Sequence, residues 1–156
     1  MAQHDLILLE EDQRRLAEAL RLLCAEAKGR AVFLIDKNGR LLAMAGDPGE
    51  VDTTTLASLT AGSVAATGGL ARLVGEREFV ALVHEGERES LHVTLVGEEA
   101  ILVVLFDRQT PLGLVRLRVR RAGEQLAQIL AEAGSRKAGR PAVQFTDEDI
   151  ENLLSA

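Results

Sequence analysis

Nineteen consecutive residues, Thr53–Ala71, carry no charge in a chain whose Asp, Glu, Lys and Arg make up 27% of its residues. That stretch limits what the chain can become. Asp52 in front of it is a good helix N-cap, and Gly75 behind it is a good stop. Together they predict a helix from Asp52 through about Val74. A helix on the surface of a globular domain normally shows charge on its outer side. This one shows none, and each of Gly62, Gly68 and Gly69 costs about 1 kcal/mol against alanine. Its serines, threonines and glycines argue against a membrane span. Small residues are useful where another backbone must come close. The expectation is therefore a helix covered on both sides. Leu56, Leu59, Leu70 and Leu73 share one face, expected to pack on a sheet. Ser58, Ala61, Ala65, Gly68 and Gly69 lie opposite, with Gly62 at the edge, and are expected to meet a second subunit or a partner. A helix buried within its own domain is the competing reading, but 156 residues scarcely supply a second covering layer. A third reading takes Gly68-Gly69 as a simple helix break, which could coexist with docking.

The flanking pattern gives that helix a context. Residues Glu11–Lys28 form an amphipathic helix, with Leu16, Leu20, Leu23, Cys24 and Ala27 recurring at spacings of three and four. Ala31–Ile35 and Leu41–Met44 are apolar runs joined through Asn38-Gly39, a strong hairpin signal. Phe79–His84, Ser90–Val96 and Ala100–Phe106 read as three more strands separated by Gly- and Glu-rich turns. Val32–Ile35 and Ile101–Phe106 are apolar at every position, as expected of central strands covered on both faces. A last helix, from Pro111 or Leu112 to Ala133, carries the apolar stripe Val115, Val119, Ala122, Leu126, Ile129 and Leu130. The order α-β-β-α-β-β-β-α, with short turns between consecutive strands, predicts an α/β (α+β) domain with an antiparallel sheet and helices on its faces. Domain 1–133 is expected to be followed by a flexible linker, 134–144, and a short interaction helix, 145–156.

Composition excludes several functions. The net charge is −6 and there is no Trp or Tyr, so neither concentrated cation nor an aromatic platform is on hand for nucleic acid. The single cysteine, Cys24, cannot form an intramolecular disulfide; its apolar neighbours make it a buried core thiol. The N-terminus lacks a basic region and a cleavage motif, so the expectation is a cytoplasmic protein with no integral membrane association. His4, His84 and His92 have no metal-ligand spacing and are expected at turns or on the surface. No phosphate-binding GxxxxGK[ST] is present. Asp36 and Asp107 end apolar strands and are best read as turn formers. No metal, cofactor or catalytic residue is expected.

The segments VFLIDKNGRLLAMAG (32–46), DTTTLASLTAGSVAATGGLARLVGE (52–76), FVALVHEGERESLHVTLVG (79–97) and LVVLFDRQTPLGLVRLRVRRA (102–122) resemble bacterial roadblock/LC7 proteins that act as GTPase-activating proteins for a small Ras-like GTPase. The tail TDEDIENLL (146–154) adds to the likeness. The resemblance implies a roadblock/LC7 fold, with a five-stranded antiparallel sheet sandwiched between one long helix and two terminal helices. It implies a homodimer whose paired second helices form a platform for the GTPase in cell polarity and gliding motility, with enrichment at a cell pole. Ala65 and Gly69 would lie at the core of that contact, beside Ala61 and Gly62; Ser58, Gly68 and Arg72 complete the expected set. GTP and its magnesium would be bound by the GTPase, not by this chain.

GTP hydrolysis needs a positioned water and stabilisation of developing charge. Arg72, Arg116, Arg118, Arg120 and Arg121 are candidates for an arginine finger, but the arginines of the last helix read better as a solvated face. The resemblance also implies that no finger is inserted: the dimer holds the GTPase's own catalytic residues in place. Thr146 with Glu148 and Asp149 starts a short tail helix. Phe145, Ile150, Leu153 and Leu154 would line one side of it, docking on the GTPase and affecting nucleotide exchange. A frayed terminus is the alternative for that segment. Two other functions remain open: a roadblock scaffold that tethers partners without stimulating hydrolysis, and a small-ligand sensor with a pocket between sheet and helix.

Overall fold

The computed structural model describes residues 7–139, 151, 152, 154 and 155. Its elements run in the order α1 (Glu10–Glu26), β1 (Ala31–Asp36), β2 (Leu41–Gly46), α2 (Thr53–Leu73), β3 (Ala81–Glu85), β4 (Glu89–Val96), β5 (Ala100–Asp107) and α3 (Leu112–Gly139). The five strands form one sheet in the order β2-β1-β5-β4-β3. Every neighbouring pair is antiparallel.

Successive side chains of a strand point to opposite faces, and the two innermost strands bury both sets. Val32, Leu34, Leu102, Val104 and Phe106 join α1 and α3 in one core. Ala31, Phe33, Ile35, Ile101, Val103 and Leu105 join α2 in the other. This is why β1 and β5 read as unbroken apolar runs: the sheet is a middle layer, with two helices on one face and one on the other. At its margin β3 is mostly exposed.

Local chemistry sets the element ends. Asp12 in the first turn of α1 accepts from the Leu9 N–H at 3.0 Å. Asp36 Oδ1 accepts from the N–H groups of Asn38 and Arg40, each at 2.9 Å, closing the β1–β2 turn. Asp107 does the same for Gln109 at 2.9 Å. Both acids are turn formers. Gly46, at φ +83°, leaves no room for a side chain: a Cβ would lie 2.5 Å from the Arg30 carbonyl oxygen and 2.8 Å from Cys24 Sγ. Cys24 is buried, donates to the Gly29 carbonyl at 3.3 Å, and has its thiol pKa pushed up by burial. It is a packing residue.

Two sequence expectations are revised. α3 continues to Gly139, six residues past the expected boundary at Ala133. Residues 134–139 therefore do not start a linker. Ala133, Arg136 and Ala138 are good helix formers, and Arg136 pairs with Asp12, a carboxylate only 1% exposed on α1. That ion pair ties the far end of α3 to the domain. His92 is the second: it is 2% exposed on β4, not a turn or surface residue. It pairs in register with Val83 on β3 and Val104 on β5.

Candidate docking surface

α2 begins where Asp52 accepts from the Thr55 N–H at 3.1 Å; that hydrogen bond holds the Asp52 carboxyl below its usual range. It ends in a Schellman motif: Gly75 N–H bonds to the Arg72 carbonyl at 3.2 Å and Glu76 N–H to that of Ala71 at 2.9 Å. Gly75 takes φ +87°, which favours glycine. Both boundaries match the sequence reading.

The faces do not. Ala57, Thr60, Ala61 and Ala71 are the buried residues of α2. The two alanines nearer its start, Ala57 and Ala61, pack with Phe33, Ile35, Val93, Ile101 and Val103. The leucines expected on the sheet turn outward: Leu59 is 69% exposed, Leu70 57% and Leu73 82%; only Leu56 is half-buried. The sheet face beneath α2 is already filled by bulky side chains. Alanines let the helix sit close to it, whereas leucines would hold the layers apart. The apolar, charge-free outer side survives this reversal, and Leu59, Leu70 and Leu73 are additional surface residues that the sequence reading assigned to the core. With apolar or small residues on every side of the helix, helical periodicity selects no face.

The expected contact residues divide accordingly. Ser58, Gly62, Ala65 and Arg72 are exposed, Gly68 and Gly69 are half-buried, and Ala61 is buried against the sheet. A Cβ placed on Gly62, Gly68 or Gly69 would meet nothing within 4 Å. No packing among the described residues therefore requires these glycines. The space between α2 and β3–β4, lined by Val64, Thr67, Gly68, Phe79, Leu82 and Val93, is small, about 30 Å³. A larger opening of about 470 Å³ lies nearer the start of α2, between Val51 and Leu56 on one side and His84, Leu91 and Leu105 on the other.

The arginines lie on two different layers. Arg72 closes α2. Arg116, Arg118, Arg120 and Arg121 lie on α3, across the sheet, where Arg118 is 4.0 Å from Glu26. Among the described residues no cluster of His, Cys, Asp and Glu could hold a metal ion, and no helix is long and apolar enough to cross a membrane. In the tail, Glu151, Asn152 and Leu154 are helical and Leu154 is exposed. The expected contacts Phe145, Ile150 and Leu153 lie outside the described residues.

The Roadblock/LC7 domain model matches residues 15–106. The chain belongs to the Roadblock/LC7 family. Among solved structures, this roadblock chain is similar to Myxococcus xanthus MglB, at 48% identity over 82% of this chain and 96% of that one, with a TM-score of 0.77. It is similar to the gliding protein MglB of Thermus thermophilus at 41% identity, over 84% and 99% of the two chains, with a TM-score of 0.79. An MglB with a tetrameric arrangement matches at 41% identity over 85% and 99%, with a TM-score of 0.80. No curated protein sequence matches the chain. The fold expected from sequence is the fold observed, and the family match spans α2 and the sheet up to Phe106, one residue short of the end of β5.

Proposed function

We propose that this roadblock protein is a GTPase-activating protein for an MglA-like small GTPase, acting as a homodimer whose α2 helices form the docking platform. The observation that carries this reading is the outer side of α2. It combines exposed Leu59, Leu70 and Leu73 with glycines that have no packing role among the described residues, in a chain 48% identical to an MglB. An apolar, uncharged face of this kind is what a protein interface covers.

In this mechanism the chain supplies no reacting group. GTP and its magnesium ion are held by the GTPase. The platform holds the GTPase's switch residues in a productive arrangement, so binding energy lowers the entropic part of the barrier. The position of the arginines supports a fingerless mode: four of the five candidates sit on α3, on the sheet face opposite α2. The tail contributes a second contact on the GTPase and modulates nucleotide exchange.

The test is GTP turnover by the MglA-like GTPase of the same cell, with and without the full chain. Faster turnover is expected. Binding without acceleration would replace the activator with a tethering scaffold, and absence of binding would reject both. Arg72→Ala is expected to weaken stimulation only in part. Complete loss with binding intact would reinstate an arginine finger.

A further inference from the structure

The sheet face opposite α2 is not completely covered. α1 lies over β2 and β1, α3 packs beside it and against β4, and beyond α3 an open groove of about 560 Å³ runs along β3–β4. Ala81 and Val96 contribute apolar surface to it, His92 forms part of its floor, and Arg116 and Arg120 form its α3 wall. It continues past Gly97 into a second opening of about 430 Å³, lined by Ala127, Leu130, Glu98 and Glu99. From the C-terminal end of α3 towards its start, the groove is thus acidic at Glu98 and Glu99, apolar at Leu130 and Ala127, and basic at Arg120 and Arg116. Glu124 is the one acid within the basic part.

Among the described residues Arg116, Arg120 and Arg121 make no salt bridge, although Arg118 does. His92 adds no charge, because burial and the nearby Arg116 lower its pKa. Its Nδ1 has no hydrogen-bond partner among the described residues.

The chain that follows α3 carries the complementary order. Arg140 comes first, then Pro141, Ala142 and Val143, then Phe145, and then Asp147, Glu148, Asp149 and Glu151 with no base among them. The lengths agree as well. Arg120 and Arg116 lie about 28 and 35 Å back from Gly139 along α3, at 1.5 Å per residue. The eight residues from Gly139 to Asp147 span at most about 26–29 Å, and a helical turn to Glu151 adds about 6 Å. Doubling back along α3, the acidic run reaches the level of Arg120 and Arg116.

We propose that the groove between α3 and β3–β4 is a docking site for the chain's own acidic segment, residues 145–153, with Phe145, Ile150 and Leu153 supplying its apolar side. The site lies on the sheet face opposite α2. If the tail also contacts the GTPase, as in the function proposed above, the two sites compete for one segment. The docking itself requires no GTPase.

The test uses the full chain without nucleotide or GTPase. A nitroxide is attached at Ser155→Cys, with buried Cys24 left in place, and amide signals are read by NMR. The label is expected to at least halve the intensities of Ala81, Arg116 and Arg120 and to spare Ala65 and Gly69 on the far side of the sheet. Arg116→Glu with Arg120→Glu should restore the lost intensity, and adding Asp147→Lys, Glu148→Lys and Asp149→Lys should abolish it again. Arg116→Gln with Arg120→Gln serves if the reversed pair does not fold. Raising salt from 0.1 M to 1 M, which shortens the screening length from about 10 to 3 Å, should also restore intensity. Unchanged Ala81 and Arg120 signals in the labelled wild-type background, or losses insensitive to both charge reversal and salt, would overturn the proposal. A failed GTPase assay would leave this result standing.

Discussion

Leu126 on α3 and Leu73 on α2 are the same residue in helices packed on opposite faces of one sheet, yet the first is fully buried and the second 82% exposed. In α3 the outward positions include Arg116, Arg120, Arg121 and Glu124. Charge occupies one side, and the apolar stripe must turn to the core. α1 follows the same rule, with Leu16, Leu20 and Leu23 inside. α2 has no charge to keep in water, so nothing in its own sequence chooses a face. The sheet makes the choice by accepting alanine and rejecting leucine. The difference separates a helix that only builds the domain from one that also offers a surface.

The largest expected effect breaks the comparison if it fails. Leu126→Ala should cost about 3 kcal/mol of unfolding free energy, as other buried leucines do. Leu73→Ala should cost less than about 0.5 kcal/mol. Chemical denaturation measures both, and equal losses would place Leu73 in the core. Next, Ala57→Leu should destabilise by about 1–3 kcal/mol through overpacking, while Ala65→Leu leaves the denaturation midpoint unchanged.

Ala65→Arg sharpens the contrast in function. It should weaken GTPase binding at least about tenfold, or 1.4 kcal/mol, by steric clash and a buried unpaired charge, with an unchanged Tm. Ala61→Arg is expected to lower Tm as well, because Ala61 already faces the sheet. Titration against the labelled GTPase, paired with a melting curve, separates the two.

The smallest effect concerns pH. Burial, then Arg116, lowers the pKa of His92 below the ordinary histidine value of 6.5. The unfolded chain therefore binds this proton more readily than the folded one. The contribution of His92 to stability is complete above about pH 6.5 and is lost as pH falls through the lower folded pKa. Tm should fall between pH 7.5 and 5, and His92→Gln should flatten part of that slope. An identical slope in the variant would assign it to other groups.

Much of the fold is legible in the sequence. Asn38-Gly39, Asp52 and Gly75 mark ends by local backbone chemistry, and the unbroken apolar runs of β1 and β5 announce burial on both faces. His92 was not legible, since a polar residue in an alternating strand is normally read as outward-facing. Nor was the end of α3: the small and basic residues after Ala133 resemble a linker until Arg136 meets Asp12, 124 positions away. Within α2, the sequence assigned Leu59, Leu70 and Leu73 to the sheet, and the packing turns them outward.

The chain by itself determined the order of its elements, their boundaries within a few residues, and the absence of charge that makes α2 a docking candidate. These depend on neighbours close in sequence: caps, turns and periodicity. Tertiary structure alone decided which side of α2 faces outward, that Ala61 belongs to the core, and that an open groove with a basic end remains beyond α3. Each of these depends on the volume available between layers, which is set by residues far apart in the chain, such as Phe33 and Val103 beneath Ala57. A helix with no polar side has no orientation until something is packed beneath it.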